Sequence, residues 1–246
     1  MTKVGAPEKL IENGKRLDGR KLDEMRPIET DVGVIKKAMG SGIFKFGDTY
    51  ALSAVYGPKP FHPRFLQDPQ NLVLKCRYNM APFSTSDRIR PGYSRRSTEI
   101  SKVIRLALDS VVFKEDYPRT GVEVYVEILQ ADASTRCAGL NAASIALADA
   151  GVPMRDLISS CSVGVIDNTI VLDVAGIEDN YGEVDLAVAT IADQDKFVLV
   201  QLDGIITPEQ FHEMLELAKK GCAEVYKQQK AILKEKYNTG DTNEEQ

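Results

Sequence analysis

The amino-acid sequence predicts an α/β protein, of the α+β two-layer kind, with two βαβ-type halves whose mixed sheets pack against helices. Short runs rich in β-branched and aromatic residues alternate with longer segments that repeat apolar residues every three to four positions. The segment Val152–Asp156 separates two such stretches, each ending in a long helix. We expect a single domain over residues 1–246, with halves at 10–151 and 152–236 and a flexible acidic tail at 237–246.

The first half is predicted to begin with strands and to continue with two helices. Strand patterns at residues 26–34, 42–46, 50–56 and 72–78 are separated by Gly, Pro and Asp, which favours a meander. Apolar residues from Ile100 to Val112 recur with helical spacing and predict a helix over about 94–115. A strand at 122–129 leads into 137–150, whose small apolar residues predict a helix that is buried on most sides and ends at Gly151.

The second half is predicted to contain four strands and one helix. The strand patterns lie at residues 159–166, 170–172, 183–191 and 197–202. Thr207 can cap a helix, Pro208 suits its first turn, and Gln210 completes a capping box. This last helix should extend to about Lys236.

The composition excludes several classes of protein. The longest uncharged run, residues 137–148, has 12 residues, which is too short to cross a membrane. The first ten residues lack the apolar stretch of a secretory signal, so we expect a cytoplasmic protein. The four cysteines and two histidines are scattered, which argues against a His/Cys metal site and favours reduced, buried packing cysteines.

The net charge of −5 conceals a basic segment. Residues 86–105 contain six basic and two acidic side chains, a local charge of +4. Arg95 and Arg96 stand at a predicted helix N-terminus, where the helix dipole disfavours cations unless an anion binds there. A nucleic-acid backbone would supply that anion, and Arg64 adds a cation beside His62. The alternative is a solvated charged loop.

A second candidate site is the strand-to-helix turn that holds Ser134, Thr135 and Arg136. Small residues at a helix N-terminus allow backbone N–H groups to approach an oxyanion, a Ser or Thr hydroxyl can donate, and arginine matches phosphate. The turn does not match the P-loop pattern, so nucleoside triphosphate binding is not indicated. The alternative is an ordinary Ser/Thr cap followed by a surface arginine.

The third candidate is acidic. Asp173, Glu178, Asp179, Glu183 and Asp185 lie within 13 residues, in a predicted loop that leads into a strand. Asp185 interrupts the apolar run of that strand, and Asp179 could share a divalent cation with it or act as an acid toward a leaving oxygen. A solvated acidic loop is the alternative. Together, a basic groove, an anion cradle and paired acids are what cleavage of a phosphodiester bond requires.

A combination of short motifs, each weak alone, extends over about residues 10–236. These are Leu17-Asp-Gly-Arg20, Arg26-Pro27, Tyr56-Gly-Pro58, Arg77-Tyr-Asn-Met-Ala-Pro-Phe83, Pro118-Arg-Thr120, Leu129-Gln-Ala-Asp132, Thr135-Arg136, Ala148-Asp-Ala-Gly151 and Glu178-Asp-Asn-Tyr-Gly-Glu183. By these motifs the sequence resembles the RNase PH family, and within it the catalytic ring subunits of archaeal exosomes.

The resemblance implies an RNase PH-like fold and a 3′-to-5′ exoribonuclease. Such chains degrade single-stranded RNA by phosphorolysis and release nucleoside 5′-diphosphates, with inorganic phosphate as co-substrate and Mg²⁺ or Mn²⁺ as the metal. The reverse reaction, RNA tailing, is expected when phosphate is scarce. The implied assembly is a hexameric ring, a trimer of heterodimers with a homologous non-catalytic subunit, capped by RNA-binding proteins with OB and KH folds.

The resemblance also assigns roles to residues. Ser134, Thr135 and Arg136 match the phosphate site, where relatives often carry Gly in place of Ser134. Arg95 and Arg96 match the arginines that hold RNA phosphates, and Arg64 falls in the loop of the pore constriction. The catalytic and metal-binding pair is Asp179 and Asp185, with Asp179 acting at the departing 3′ oxygen. The alternatives are a bacterial-type RNase PH acting on tRNA 3′ ends, a non-catalytic RNA-binding ring subunit, and a metal-dependent hydrolase that uses water.

Overall fold

The computed structural model describes residues 9–12, 14–194 and 196–238. Within these residues, two larger sheets and a short hairpin pack with four α-helices. The strands are β1 (Ile11–Glu12), β2 (Lys15–Arg16), β3 (Ile28–Val32), β4 (Gly40–Phe46), β5 (Thr49–Pro60), β6 (Val73–Met80), β7 (Thr120–Gln130), β8 (Ile158–Ile166), β9 (Thr169–Leu172), β10 (Val184–Ile191) and β11 (Lys196–Asp203). The helices are α1 (Arg95–Asp109), α2 (Thr135–Asp149), α3 (Gly176–Tyr181) and α4 (Pro208–Asn238).

The first sheet has the order β3-β4-β5-β7-β6. The strands β3, β4 and β5 form the antiparallel meander that their spacing predicts. The strand β6 does not continue that meander, because the chain crosses to the far edge, where β6 pairs in parallel with β7. The connection between them is α1, which makes β6–α1–β7 a βαβ unit. Its loop 81–94 and the end of β7 therefore lie at the same end of the sheet.

The second sheet, in the order β11-β10-β8-β9, is antiparallel throughout. The α/β fold class is thus confirmed. In the second half β9 and β10 both run antiparallel to β8 and are therefore parallel to each other, and the short helix α3 connects them, so this βαβ connection is split by β8. The pairs β8–β9 and β10–β11 are antiparallel neighbours joined by short connections.

Helix α2 lies between the two sheets and contacts strands of both. Twelve of its residues are buried, as its run of small side chains predicts. It approaches β4 so closely that a Cβ at Gly40 would lie 2.3 Å from the carbonyl oxygen of Ala146. At its other end, Asp149 accepts hydrogen bonds from the Ser41 amide at 2.9 Å and the Tyr237 hydroxyl at 3.0 Å, and it pairs with Lys236.

Three boundaries differ from the sequence prediction. Helix α1 ends at Asp109 instead of near Glu115, because Val111 and Val112 turn into the core, where Val112 forms an isolated bridge with Met154. Helix α2 begins at Thr135, two residues earlier than expected. Helix α4 extends to Asn238, so the first two residues of the predicted acidic tail are helical, and 239–246 lie outside the described residues.

The cysteines are reduced, as predicted. Cys137, Cys161 and Cys222 are buried and Cys76 is partly buried. The Cys161 and Cys222 sulfurs lie 3.6 Å apart, within reach of a hydrogen bond, and form no disulfide. Burial raises the pKa of the Cys76 and Cys137 thiols to about 12, so neither is a reactive thiolate. Among the described helices, none combines the length and the apolar character that a membrane crossing requires.

Candidate active site

A cleft of about 340 Å³ lies where α2, α3, β10 and β11 meet the start of α1. Its lining includes two arginines, Arg96 and Arg136, and three aspartates, Asp179, Asp185 and Asp203. The rest of its polar lining consists of Ser134, Thr135, Ser162, Glu178, Glu183 and Gln201. The cleft therefore contains the predicted phosphate turn, the predicted acidic pair and one of the three predicted RNA-binding arginines, Arg96.

The phosphate turn has an unusual backbone. Ala133 and Ser134 adopt left-handed conformations, with φ of 60° and 53°, although neither is glycine. Ser134 occupies the N-cap position of α2 but forms no side-chain cap. Its hydroxyl instead donates to the carbonyl of Val174 at 3.0 Å and lies 2.7 Å from the Ser162 hydroxyl. Helix α2 thus lacks the ordinary Ser/Thr side-chain cap. Its first-turn N–H groups lie at the cleft and are open to an anion.

The hydroxyl of Thr135 is available to an anion. Tyr78 is 2% exposed, and its hydroxyl donates to Thr135 Oγ1 at 3.0 Å. Burial raises the pKa of Tyr78, while the bond to Thr135 and the positive charges of Arg96 and Arg136 act in the opposite direction. Because Thr135 accepts from Tyr78, its own proton can point elsewhere. Of the two hydroxyls considered from the sequence, Thr135 is the one placed to donate, and Ser134 can contribute only its backbone.

Arg136 is held by a residue that the sequence analysis did not identify. Its Nη2 lies 3.4 Å from Glu99 Oε2, and the other oxygen of Glu99 accepts from Gln201 Nε2 at 3.2 Å. Glu99 therefore links α1, α2 and β11. The Nε of Arg136 and the Oε1 of Gln201 are buried without a hydrogen-bond partner. A buried guanidinium N–H with no partner at the wall of a polar cleft indicates a place for an anionic ligand.

The acidic side of the cleft contains one more carboxylate than predicted. Asp185 on β10 lies opposite Asp203 on β11 in the strand register. Burial, followed by the negative charge of Asp179, raises the pKa of Asp185 to about 6; Asp203 adds to this shift, and Arg136 and Arg96 oppose it. Cross-strand pairing was the only signal that could have found Asp203, and it depends on a register that the sequence does not show.

The remaining acids of the 173–185 segment divide into two kinds. Asp173 and Glu178 are buried and pair with arginines near the N-terminus, although Glu178 also borders the cleft, whereas Glu183 is exposed and lines the cleft. The segment is also not a loop throughout, since α3 forms within it, and Glu178 accepts a hydrogen bond from the Ala175 amide at the start of that helix. Asp179, the next residue of α3, is exposed and lines the cleft.

The three arginines that were predicted to bind RNA are divided between two ends of the first sheet. Arg95 and Arg96 are exposed at the start of α1, and Arg96 lines the cleft. Arg64 lies in a short 3₁₀ turn between β5 and β6, in a loop fixed to the start of β7 by a bond from the Arg119 amide to the Asp68 carbonyl. The cleft is at the other end of β7, whose 11 residues span roughly 35 Å. The structure therefore does not bring Arg64 to the cleft.

The carboxylates fit a divalent cation that is completed by substrate. Among the residues that the structure describes, no cluster of three or more His, Cys, Asp or Glu side chains is arranged to hold a metal ion. Asp179 and Asp185 nevertheless offer the oxygen ligands that Mg²⁺ and Mn²⁺ prefer, and Mg²⁺ is commonly bound through one or two carboxylates together with substrate phosphates.

Comparison with known proteins assigns the family. The two sequence models of the 3′ exoribonuclease family, domain 1 and domain 2, match residues 24–153 and 156–221. The exosome complex component Rrp41 of Methanopyrus kandleri is 53% identical over 232 residues, which cover 94% of this chain and 97% of that protein. The Pyrococcus furiosus component of the same name is 54% identical over 230 residues, covering 93% and 92% of the two chains.

A solved structure shows the same fold. The crystal structure of rice (Oryza sativa) Rrp46 superposes with a TM-score of 0.79 over 89% of this chain and 100% of the rice chain, at 21% identity. The family models and the archaeal relatives agree with each other on the family, and the rice structure agrees with them on the fold. The chain belongs to the RNase PH family and is a phosphate-dependent 3′–5′ exoribonuclease.

Proposed function

We propose that the chain is the catalytic subunit of an exosome ring and that the cleft between α2, α3 and β10 is its phosphorolytic site. The observation that carries this proposal is the uncapped N-terminus of α2, with Thr135 and Arg136, facing Asp179 and Asp185 across one small cleft. Cations and first-turn amides on one side and carboxylates on the other are the arrangement needed to join two anions, phosphate and RNA.

Inorganic phosphate binds at the start of α2. The first-turn amides, the Thr135 hydroxyl and the unpartnered Nε of Arg136 supply its hydrogen bonds. Ser134 contributes through its backbone, because its hydroxyl is already bonded to Val174. Holding phosphate here lowers the repulsion that it would meet from RNA in water and converts a bimolecular encounter into a positioned attack.

RNA enters with its 3′ end over Arg95 and Arg96, which bind the terminal phosphates. An oxygen of the bound phosphate attacks the last phosphodiester; a new P–O–P bond forms, the bond to the 3′ oxygen of the preceding nucleotide breaks, and a nucleoside 5′-diphosphate leaves. Asp179 acts at the departing 3′ oxygen, which receives a proton. Backbone contacts dominate, so base specificity is low. Because the exchanged bonds are similar in energy, the same site adds nucleotides from diphosphates when phosphate is scarce.

Asp179 and Asp185 would hold Mg²⁺ or Mn²⁺ against the substrate phosphates. When bound, the ion neutralises charge that develops on the oxygens of the reacting phosphates. The protein's own part is to keep Asp185 among Asp179, Asp203 and Arg136. Burial first, and then the negative charges of Asp179 and Asp203, raise the pKa of Asp185 to about 6, and a bound cation would favour its ionised form.

The assembly we propose is a cytoplasmic hexameric ring in which this chain alternates with a homologous non-catalytic subunit, beneath a cap of OB- and KH-fold RNA-binding proteins. A purely structural ring subunit would not need both the phosphate residues, Thr135 and Arg136, and the acids, Asp179 and Asp185. Their presence in one cleft supports the catalytic role.

The test is to incubate end-labelled single-stranded RNA with the assembled ring, with and without inorganic phosphate. We expect nucleoside 5′-diphosphates only when phosphate is present. Nucleoside monophosphates formed without phosphate would instead identify a metal-dependent hydrolase that uses the same acids. The matched control is a ring with Asp179→Asn, which should bind RNA with nearly unchanged affinity and release no product; continued cleavage by this variant would contradict the role given to Asp179.

A further inference from the structure

Two turns beside the cleft contain residues with strained backbone conformations. In the β7–α2 turn, Ala133 and Ser134 are left-handed, and in the β9–α3 turn Asp173 has a φ of 55°. None of the three is glycine, so each conformation is unfavourable and persists only where surrounding contacts hold it. The first turn positions Thr135 and Arg136, and the second leads into α3, which carries Asp179.

A single buried side chain, Arg26, contacts both turns. Its Nε and Nη2 bind the two oxygens of Asp173 at 2.8 and 2.7 Å, and Nη2 also donates to the Val174 carbonyl at 3.2 Å. Its Nη1 donates to the backbone carbonyl of Asp132 and lies 3.4 Å from the carboxylate of that residue. Arg26 is 6% exposed and is not among the residues that line the cleft.

Two further residues support this arrangement. The Thr49 hydroxyl donates to the Ala133 carbonyl at 2.8 Å, accepts from the Asp132 amide at 3.0 Å, and lies 3.5 Å from Arg26 Nη1, so it fixes the phosphate turn beside the guanidinium group. Ser134 donates to the Val174 carbonyl and so adds one direct bond between the two turns. Of these side chains, Arg26 is the one that makes several bonds to each turn.

We propose that Arg26 is a positioning residue that fixes the distance between the phosphate cradle and Asp179. This inference rests on the proposed function of the cleft. A planar guanidinium suits the task because one edge binds the carboxylate of Asp173 in a fork while Nη1 reaches the other turn. Lysine keeps the charge but has a single ammonium, which cannot hold both turns in a fixed geometry.

The matched control is Arg20, another buried arginine of the same network. Its Nη1 lies 3.3 Å from the Asp173 carboxylate, and it is 9% exposed. Its remaining polar contacts are with Asp18, Glu24, Glu178 and the Asp173 backbone, none of them in the phosphate turn. Replacing Arg20 therefore perturbs the buried charge network without releasing the phosphate turn.

The experiment compares Arg26→Lys with Arg20→Lys in the assembled ring, at a temperature well below the unfolding transition of both. We expect Arg26→Lys to lower kcat about 10- to 100-fold, because small misplacements of reacting groups have effects of this size, while RNA affinity changes less than about twofold. Arg20→Lys should retain kcat within about threefold. Equal losses of kcat in the two variants would overturn the proposal, and so would an unchanged kcat in Arg26→Lys.

Thr49 provides a test that leaves the arginines in place. Thr49→Val removes the hydroxyl that joins Asp132 and Ala133, and Thr49→Ser keeps it. We expect kcat to fall in the valine variant and to recover in the serine variant, with RNA affinity preserved in both; equal kcat in the two would count against the positioning role. The wild-type ring separates this inference from the proposed function, because a wild type that forms no diphosphates with phosphate present refutes the function itself.

Discussion

Asp185 shows how a single residue can be placed for chemistry at the expense of stability. It is partly buried, and it lies near Asp179 and opposite Asp203, so its ionised form is disfavoured by burial and by two like charges. Its pKa of about 6 lies well above the value of 3.8 that is usual for an aspartate. Between these two values the folded protein binds more protons than the unfolded chain. The stability of the metal-free protein should therefore fall as pH rises from about 4 to 6.

The first prediction follows from this fall in stability with rising pH. In metal-free buffer with a chelator, Asp185→Asn should raise the free energy of unfolding at pH 7.5 by on the order of 2–3 kcal/mol, and should have little effect near about pH 3, where Asp185 is largely protonated in both the folded and the unfolded states. Urea unfolding of the wild type and the variant at the two pH values measures this difference. The exposed Asp116, changed to Asn, is the control. A variant no more stable than the wild type at pH 7.5 would contradict the prediction.

The residues that the sequence analysis identified and those that it missed differ in how they reach the cleft. Local patterns predict two pairs that are close along the chain. These pairs are Thr135 with Arg136, and Asp179 with Asp185. Glu99 and Asp203 reach the cleft only through tertiary contacts, by the packing of α1 on α2 and by the register of β10 with β11. Such pairings are not determined by the local sequence.

The second prediction concerns Glu99. Its carboxylate occupies Nη2 of Arg136, a donor that bound phosphate would use, and it adds negative charge beside the phosphate. Glu99→Gln should therefore lower the KM for phosphate. Glu99 is 44% exposed, which limits the effect to that of a solvated ion pair, about two- to fivefold.

Steady-state kinetics at saturating RNA measure the effect of Glu99→Gln. Asp109→Asn, at the far end of α1, serves as the control for removing a negative charge from the same helix. If the KM for phosphate rises in Glu99→Gln, Glu99 orients Arg136 instead of competing for it.

At the scale of elements, the sequence predicted long, strongly patterned elements better than short ones. The small residues of α2 predict a buried helix, and α2 is buried on nearly every side. Helix α3 was missed because it has only six residues, GIEDNY, and its start depends on the side chain of Glu178 bonding to the Ala175 amide. The predicted C-terminal end of α1 was too late because Val111 and Val112 continue the helical spacing but pack against a different element.

The third prediction tests the close packing of α2 on β4. A Cβ at Gly40 would lie 2.3 Å from the Ala146 oxygen and 2.3 Å from the Ala150 nitrogen, which are backbone atoms that cannot rotate away. Gly40→Ala should therefore force α2 outward and destabilise the protein by about 1–3 kcal/mol or more. Because α2 begins with Thr135 and Arg136, an outward shift of this helix should also lower kcat.

Gly139→Ala is the matched control for Gly40→Ala. Its new Cβ would lie 3.0 Å from Val126 Cγ1, a tight contact but one with a side-chain atom instead of backbone, and alanine is the better helix former. Urea midpoints of the two variants should differ clearly. An unchanged midpoint for Gly40→Ala would show that α2 has room to shift.

For the whole molecule, the distribution of charge matters more than the net value of −5. The basic window 86–105 covers the loop and helix that open onto the cleft, while the acids at 173–185 divide into buried partners of N-terminal arginines and cleft carboxylates. Local sequence patterns could identify these opposite charges but could not place them relative to each other. The position of Arg96 and Asp179 in one cleft, and that of Arg64 at the far end of β7, are properties of the folded chain.

The last prediction concerns the distance between Arg64 and the cleft. If RNA runs along the first sheet from the loop of Arg64 to the cleft, Arg64 can bind only RNA long enough to span roughly 35 Å. Arg64→Ala in the assembled ring should weaken the binding and the degradation of long single-stranded RNA. The affinity of the variant for this RNA should also fall less steeply with salt concentration than that of the wild type, because a phosphate contact is removed. Oligonucleotides too short to reach should be degraded at the wild-type rate. Arg96→Ala, at the cleft itself, is the contrasting variant and should impair both substrates. Equal impairment of short and long RNA by Arg64→Ala would show that this loop acts on the cleft and not on distant RNA.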